Sequence, residues 1–217
     1  PVEMGLKDHQ PILKIVRSDP AYVKAFEQVF GKKGAQVTMK EVQQAIGAFE
    51  RTQVSGNSPF DRYFYGGESK ALTDAQKRGF DIYVNKGRCV SCHRIEQTQA
   101  LFTDNRFHNI GVGINDIQKD VPALAGEFLQ AKVYVKVLGD KRTSELGRFA
   151  ISRDFEGLGA FKTPTLRNVA VTGPYMHDGS LKTLKDVVVH YNLGGVTKEG
   201  DPVNDFLSGG IRPLNLT

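Results

Sequence analysis

The sequence predicts a mainly α-helical fold with long loops, on three observations. Apolar residues recur at three- and four-residue spacing behind residues that start helices. No stretch supports a confident sheet. The segment 95–164 is rich in Gly, Asn, Asp and Arg and poor in long apolar stripes.

In chain order, Asp19-Pro20 opens a helix whose Tyr22, Val23, Phe26, Val29 and Phe30 share a face before Gly31 stops it. Thr38 followed by Glu41 forms a capping box, with Val42, Ala45, Ile46 and Phe49 continuing an apolar stripe. Residues 55–59 and the pair Gly66-Gly67 break the pattern, which places a domain crossing within 55–70 and the two parts at 1–60 and 61–217. Thr73 with Gln76 caps a helix carrying Phe80, Ile82 and Tyr83. The loops of 95–164 are expected to wrap around something other than a protein core. Thr183 starts a last helix over 184–191, closed by Gly194-Gly195.

The bulk properties narrow the classes. A chain of 217 residues holds one large or two small domains. With 40% apolar and 24% charged residues and no apolar run of membrane-spanning length, it reads as soluble and globular, with no membrane span. The 29 basic and 24 acidic residues leave +5 without the Lys/Arg stripe of a nucleic-acid binder, so no nucleic acid is expected; a mild positive field would suit an acidic redox partner. No signal peptide begins at Pro1, so the sequence is read as mature or trimmed. Both cysteines lie in one motif, which leaves no disulfide framework.

That motif is Cys89-Val90-Ser91-Cys92-His93, the C-x-x-C-H signature of covalent haem c attachment. Two thiols three residues apart lie on one side of a helical turn and reach the two haem vinyl groups, while the next imidazole points at the iron. A thioredoxin-like pair wants a strand–helix–strand context absent from the sequence, and a zinc site wants further ligands at suitable spacing. For the iron's other face the candidates are Met176, His177, His190 and Tyr191. Counted at about 100° per residue from Leu184, the face of Val187 and Val188 includes Tyr191 and leaves His190 well away, so Tyr191 is expected to face the core. Pattern alone leaves two readings of Tyr191: a packed tyrosine with its hydroxyl bonded to a neighbour, and a ligand. Met176 would give the His/Met pair of an electron-transfer cytochrome, and His177, beside Asp178 and Gly179, is either a pocket acid/base or a surface histidine.

The run Thr163-Pro164-Thr165-Leu166-Arg167-Asn168-Val169, then Gly173-Pro174-Tyr175-Met176-His177-Asp178-Gly179-Ser180, then His190-Tyr191-Asn192, resembles the bacterial di-haem cytochrome c peroxidase and MauG family, in the family's order around C-x-x-C-H. Gly147-Arg148-Phe149, Phe49-Glu50-Arg51-Thr52 and Ser58-Pro59-Phe60-Asp61 are also similar, so the likeness covers nearly the whole chain. It implies two cytochrome c-like helical domains with a c-type haem in each, one haem open to hydrogen peroxide and one six-coordinate and relaying electrons. The motif at 89–93 matches the second, C-terminal domain, and the helices before it belong to the first, peroxidatic one.

By the same resemblance Tyr191 occupies the sixth-ligand position, Met in many peroxidases and Tyr in MauG-like members. A tyrosine there implies a low reduction potential. Glu3, in Val2-Glu3-Met4, matches the glutamate that handles protons over the open haem; without the resemblance it is a terminal surface residue. His177 matches a histidine facing the space between the haems. Thr172 and Pro174 match residues whose backbone carbonyls help to bind calcium, a cation that takes oxygen ligands.

The first domain's own C-x-x-C-H is missing, as is the tryptophan between the haems: the chain has no Trp. The sequence is therefore expected to be a central piece of a longer polypeptide, or one of two chains completing the enzyme. The implied function is a periplasmic di-haem peroxidase that reduces hydrogen peroxide with electrons from a small cytochrome c or copper protein. The alternative within the class is MauG-like, peroxide-dependent oxidation of aromatic residues in a partner protein. A different class is a mono-haem electron carrier using Met176.

Overall fold

The computed structural model describes residues 6, 8–130 and 141–217, and its regular structure is almost all helical. Glu3 lies outside the described residues. The chain divides into two compact units, Pro1–Ser55 and Gly56–Thr217. Residues 56–60, expected with the first part, belong to the second.

The first unit packs α1 (Gln10–Ser18), α2 (Pro20–Phe30) and α3 (Met39–Glu50) around Leu13, Val16, Phe26, Val37 and Val42. Each start follows from local chemistry. The Asp19 carboxylate accepts from the amide of Ala21 at 2.8 Å and from that of Tyr22, and Pro20 takes the first helical position, where a missing N–H is harmless. Gly31 ends α2 at φ +66°. The Glu41 carboxylate accepts from the Thr38 amide at 2.8 Å and from its hydroxyl at 2.7 Å, closing the box expected for α3. Arg17 donates from Nε (2.9 Å) and Nη2 (2.6 Å) to the Val37 carbonyl, tying α1 to the turn before α3. Ala45 of the α3 stripe packs against this cluster, whereas Ile46 is 53% and Phe49 65% exposed.

The second unit holds α4 (Pro59–Phe64), α5 (Asp74–Val84), α6 (Val121–Gln130), α7 (Lys141–Ser144), α8 (Phe149–Ser152) and α9 (Leu184–Asn192). Two short strands, β1 (Phe107–His108) and β2 (Phe161–Lys162), pair antiparallel with Phe107 opposite Lys162. Small as it is, this ladder brings the segment after the cysteine motif beside the Thr163-Pro164-Thr165 run. Ser58, Thr73 and Thr183 each cap their helix with a closed box.

Two expectations are corrected here. The segment 95–164 is not simply loop: it supplies α6 and the main core of the unit. Ile114, Ile117, Val121, Leu124 and Ala125 are buried with Leu146, Phe149, Ala150 and Leu158. Their spacing is helical, but Asn115, Asp116, Gln118, Lys119 and Asp120 between them have the composition of a loop, and Pro122 resembles a breaker although the first turn of a helix tolerates it. The second correction concerns α9. His190, expected to point away, is its buried residue at 2% exposed, whereas Leu184 and Val188 are 39% and 54% exposed. His190 Nε2–H donates to the Ile110 carbonyl at 2.8 Å, so it is this side of α9 that packs on the protein. Among the described residues the side carrying Leu184 and Val188 meets no buried cluster.

Candidate functional site

α5 ends at Val84, and the chain turns through Arg88, at φ +55°, into a 3-10 turn at Cys89–Ser91. The amide of His93 donates to the Cys89 carbonyl at 2.9 Å, which holds the five-residue motif in one coil. Tyr83 on α5 donates its hydroxyl to the His93 carbonyl. The following loop returns so that His93 Nδ1 lies 2.8 Å from the Phe102 carbonyl. A carbonyl only accepts, so the proton sits on Nδ1 and Nε2 carries the lone pair, as a metal-binding imidazole requires. Burial lowers the pKa of His93 and so keeps it neutral.

Burial pushes the Cys89 and Cys92 thiols up. A redox-active pair of the thioredoxin kind needs the opposite shift, so this environment argues against that reading. Cys92, Asp104 and His108 place ligand atoms within 4.8 Å of one another. His108 Nε2 is, however, already 2.8 Å from Asp104 Oδ2, and Cys89 stands outside the group, so the motif is not built as a two-thiolate zinc site.

Tyr191 is part-buried on α9, and its ring meets that of His190 edge-on at 5.5 Å. Its hydroxyl makes no hydrogen bond among the described residues. Burial, with Cys92 and Cys89 close enough for their charge to add to the effect, pushes its pKa up to about 12. His190 stays neutral through burial and is committed to Ile110; its buried Nδ1 has no partner. Met176 sits in a turn at φ +71°.

His177 is brought to a different set of groups. Its Nε2 lies 2.7 Å from Oε2 of Glu145, whose side chain is 6% exposed, and its ring stacks on Phe161 at 3.5 Å. Nothing in Ser144-Glu145-Leu146 marks Glu145 in the sequence, because its partner is 32 residues away. Gly113 makes room for it, since a Cβ there would fall 1.8 Å from Oε2 of Glu145. Thr172 and Pro174 are exposed, and among the described residues their carbonyl oxygens accept no hydrogen bond.

The lining of the motif region fits a large apolar group. α4, α5 and the motif turn bury no residue at all, and α9 buries only His190. Ile82 (43%), Leu101 (50%) and Val188 (54%) are left open. Helices carrying such residues are stabilised only when something covers them. Haem c would supply that cover: the two thiols would bond to its vinyl groups, and the neutral imidazole is a donor for its iron.

Comparison with known proteins agrees. The family Di-haem cytochrome c peroxidase matches residues 1–70. The chain is 35% identical over 213 residues to cytochrome-c peroxidase IdrP1 of Denitromonas iodatirespirans, covering 93% of this chain and 52% of that protein. It is 34% identical over 180 residues to methylamine utilization protein MauG of Methylophilus methylotrophus, covering 82% and 44%. It is 33% identical over 193 residues to cytochrome c551 peroxidase of Pseudomonas aeruginosa, covering 87% and 48%. The crystal structure of a MauG-like protein associated with microbial copper homeostasis superposes with a TM-score of 0.69 at 29% identity, covering all of this chain and 60% of that one. The chain thus spans about half the length of the curated relatives it matches. With Cys89, Cys92 and His93 consistent with haem c attachment, it belongs to the di-haem cytochrome c peroxidase and MauG family of oxidoreductases.

Proposed function

We propose that this chain is the electron-relaying part of a periplasmic di-haem peroxidase, with haem c joined to Cys89 and Cys92 and held by His93. The observation that carries this reading is the Nδ1–H bond of His93 to Phe102, which presents Nε2 beside two protonated thiols. When bound, haem c supplies a one-electron couple whose potential the axial residues and their hydrogen bonds set.

The chain's own residues then divide the work. Tyr191, part-buried and without a hydrogen-bond partner for its hydroxyl among the described residues, is the candidate for the sixth position. Glu145 fixes the ring of His177 as a proton-handling group. The free carbonyls of Thr172 and Pro174 suit calcium. Glu3 serves as the acid/base toward peroxide at the second haem, which is expected outside this chain's own motif. Electrons come from a small cytochrome c or copper protein. Among the described residues no helix is long and apolar enough to cross a membrane.

The test is the number of covalent haems on the intact native protein, by mass spectrometry and haem staining, followed by peroxide turnover. Two haems, on one polypeptide or on two tightly bound chains, with consumption of peroxide and a reduced cytochrome are the expected result. A single haem on a lone chain without turnover selects the mono-haem carrier instead. The MauG-like reading is favoured by Tyr191 over Met176. It predicts that peroxide is consumed in step with oxidation of Trp or Tyr in a partner protein rather than of a small donor.

A further inference from the structure

The loop that fixes His93 is itself held in an unfavourable shape. Phe102 has φ +54°, a left-handed conformation that a bulky residue keeps only when its surroundings impose it. Its carbonyl nevertheless meets His93 Nδ1–H at 2.8 Å. The Phe60 and Tyr83 rings pack on that of Phe102, at 5.1 and 6.3 Å, and the two residues before it are held by the segment 165–167. Arg167 Nε–H donates to the Ala100 carbonyl at 2.8 Å, and the Thr165 hydroxyl donates to that of Leu101 at 2.7 Å. The Arg167 guanidinium also lies over the Phe102 ring, 5.2 Å from its centre.

Arg167 is in turn fixed at its far end. Nη1 and Nη2 donate in a fork to the two carboxylate oxygens of Asp61, at 2.6 and 2.8 Å, with the two side chains only 14% and 15% exposed. Asp61 is no free carboxylate either, since Oδ2 accepts from both the amide and the hydroxyl of Ser58 at 2.9 Å. A continuous chain of hydrogen bonds thus runs from the start of α4 through Asp61 and Arg167 to the turn at 100–102, and from that turn to the imidazole.

We propose that Arg167, locked by Asp61, is a positioning residue for the haem's proximal ligand, holding the turn at 100–102 so that the Phe102 carbonyl accepts from His93. This rests on the haem reading given above. A carbonyl accepting from Nδ1–H makes the imidazole a stronger base toward iron and favours the ferric state. Loosening the turn therefore raises the reduction potential of this haem.

The deciding variant is Arg167→Lys. It keeps the positive charge, so any shift is not Coulombic, but a lysine cannot make the fork and the Nε bond together. The full-length holoprotein is assayed for covalent haem by mass spectrometry, for fold by circular dichroism, and for the potential of this haem by spectroelectrochemical titration. The expected result is a rise in the reduction equilibrium of about tenfold, or about 59 mV for one electron. Thr165→Val, which frees only the Leu101 carbonyl, gives a smaller rise in the same direction. Wild-type potential in both variants, when folded and haem-loaded, overturns the proposal. If Arg167→Lys does not fold, Asp61→Glu, which keeps the charge but displaces the fork, takes its place, and an unchanged potential there overturns the proposal. Absence of covalent haem from the wild-type protein overturns the haem reading instead.

Discussion

At residue scale, single hydrogen bonds separate side chains that look alike in the sequence. His93, His177 and His190 each have a ring nitrogen 2.7–2.8 Å from an oxygen, and the partners differ: a loop carbonyl, a buried carboxylate and a carbonyl under α9. Only the first arrangement leaves a lone pair beside two thiols. If Tyr191 takes the sixth position, Tyr191→Phe changes the ferric absorption and EPR spectra of this haem; an unchanged spectrum returns Met176 to that role. For His177, replacement by Gln is expected to lower peroxide turnover on the order of 10²-fold. Glu145→Gln should give a smaller loss. The double variant should be no worse than His177→Gln alone, because Glu145 acts through His177. Losses that simply multiply would sink the pairing as a functional unit.

At the scale of elements, the helix starts carry most of the local specification. Glu41 is held at about 2, against an ordinary value of 4.5, first by Lys32 and then by the Thr38 hydroxyl and amide. A carboxyl depressed in the folded state stabilises it fully above its unfolded value, and the contribution fades as pH falls from about 4.5 toward about 2. Glu41→Gln should therefore flatten the acid limb of the melting-temperature profile in that window. An acid limb unchanged from wild type would remove Glu41 as its source. On α9, Thr183→Ala removes an oxygen that accepts from the Asp186 amide at 3.1 Å and should cost about 1 kcal/mol in denaturant titrations. The haem spectrum should not change, because the cap lies at the opposite end of the helix from Tyr191.

For the second unit as a whole, two kinds of interior coexist. The cluster from Ile114 to Leu158 is made of protein alone. α4, α5 and α9 bury one residue between them, His190, and on the proposed function haem would complete this region. Replacing both Cys89 and Cys92 with Ala should therefore leave amide protection in 114–158 while α5 and α9 exchange quickly, as hydrogen-exchange mass spectrometry would show. Equal protection of both regions without haem would refute this division. Leu146→Ala should act in the other direction, costing about 2–5 kcal/mol with little effect on the haem environment.

The helix starts are legible in the sequence because a cap is chemistry within three residues, and the haem motif is legible because its five residues are contiguous. It also marked Tyr191 and His177, through short runs of neighbours. The remaining contacts join residues far apart in the chain and emerge only from the folded molecule. The carbonyl facing His93 comes from Phe102, the partner of His177 is Glu145, and Arg167 reaches back 106 residues to Asp61. The side of α9 that packs differs from the apolar face for the same reason. Periodicity finds an apolar face, but whether protein or a prosthetic group covers that face depends on what the rest of the chain brings to it.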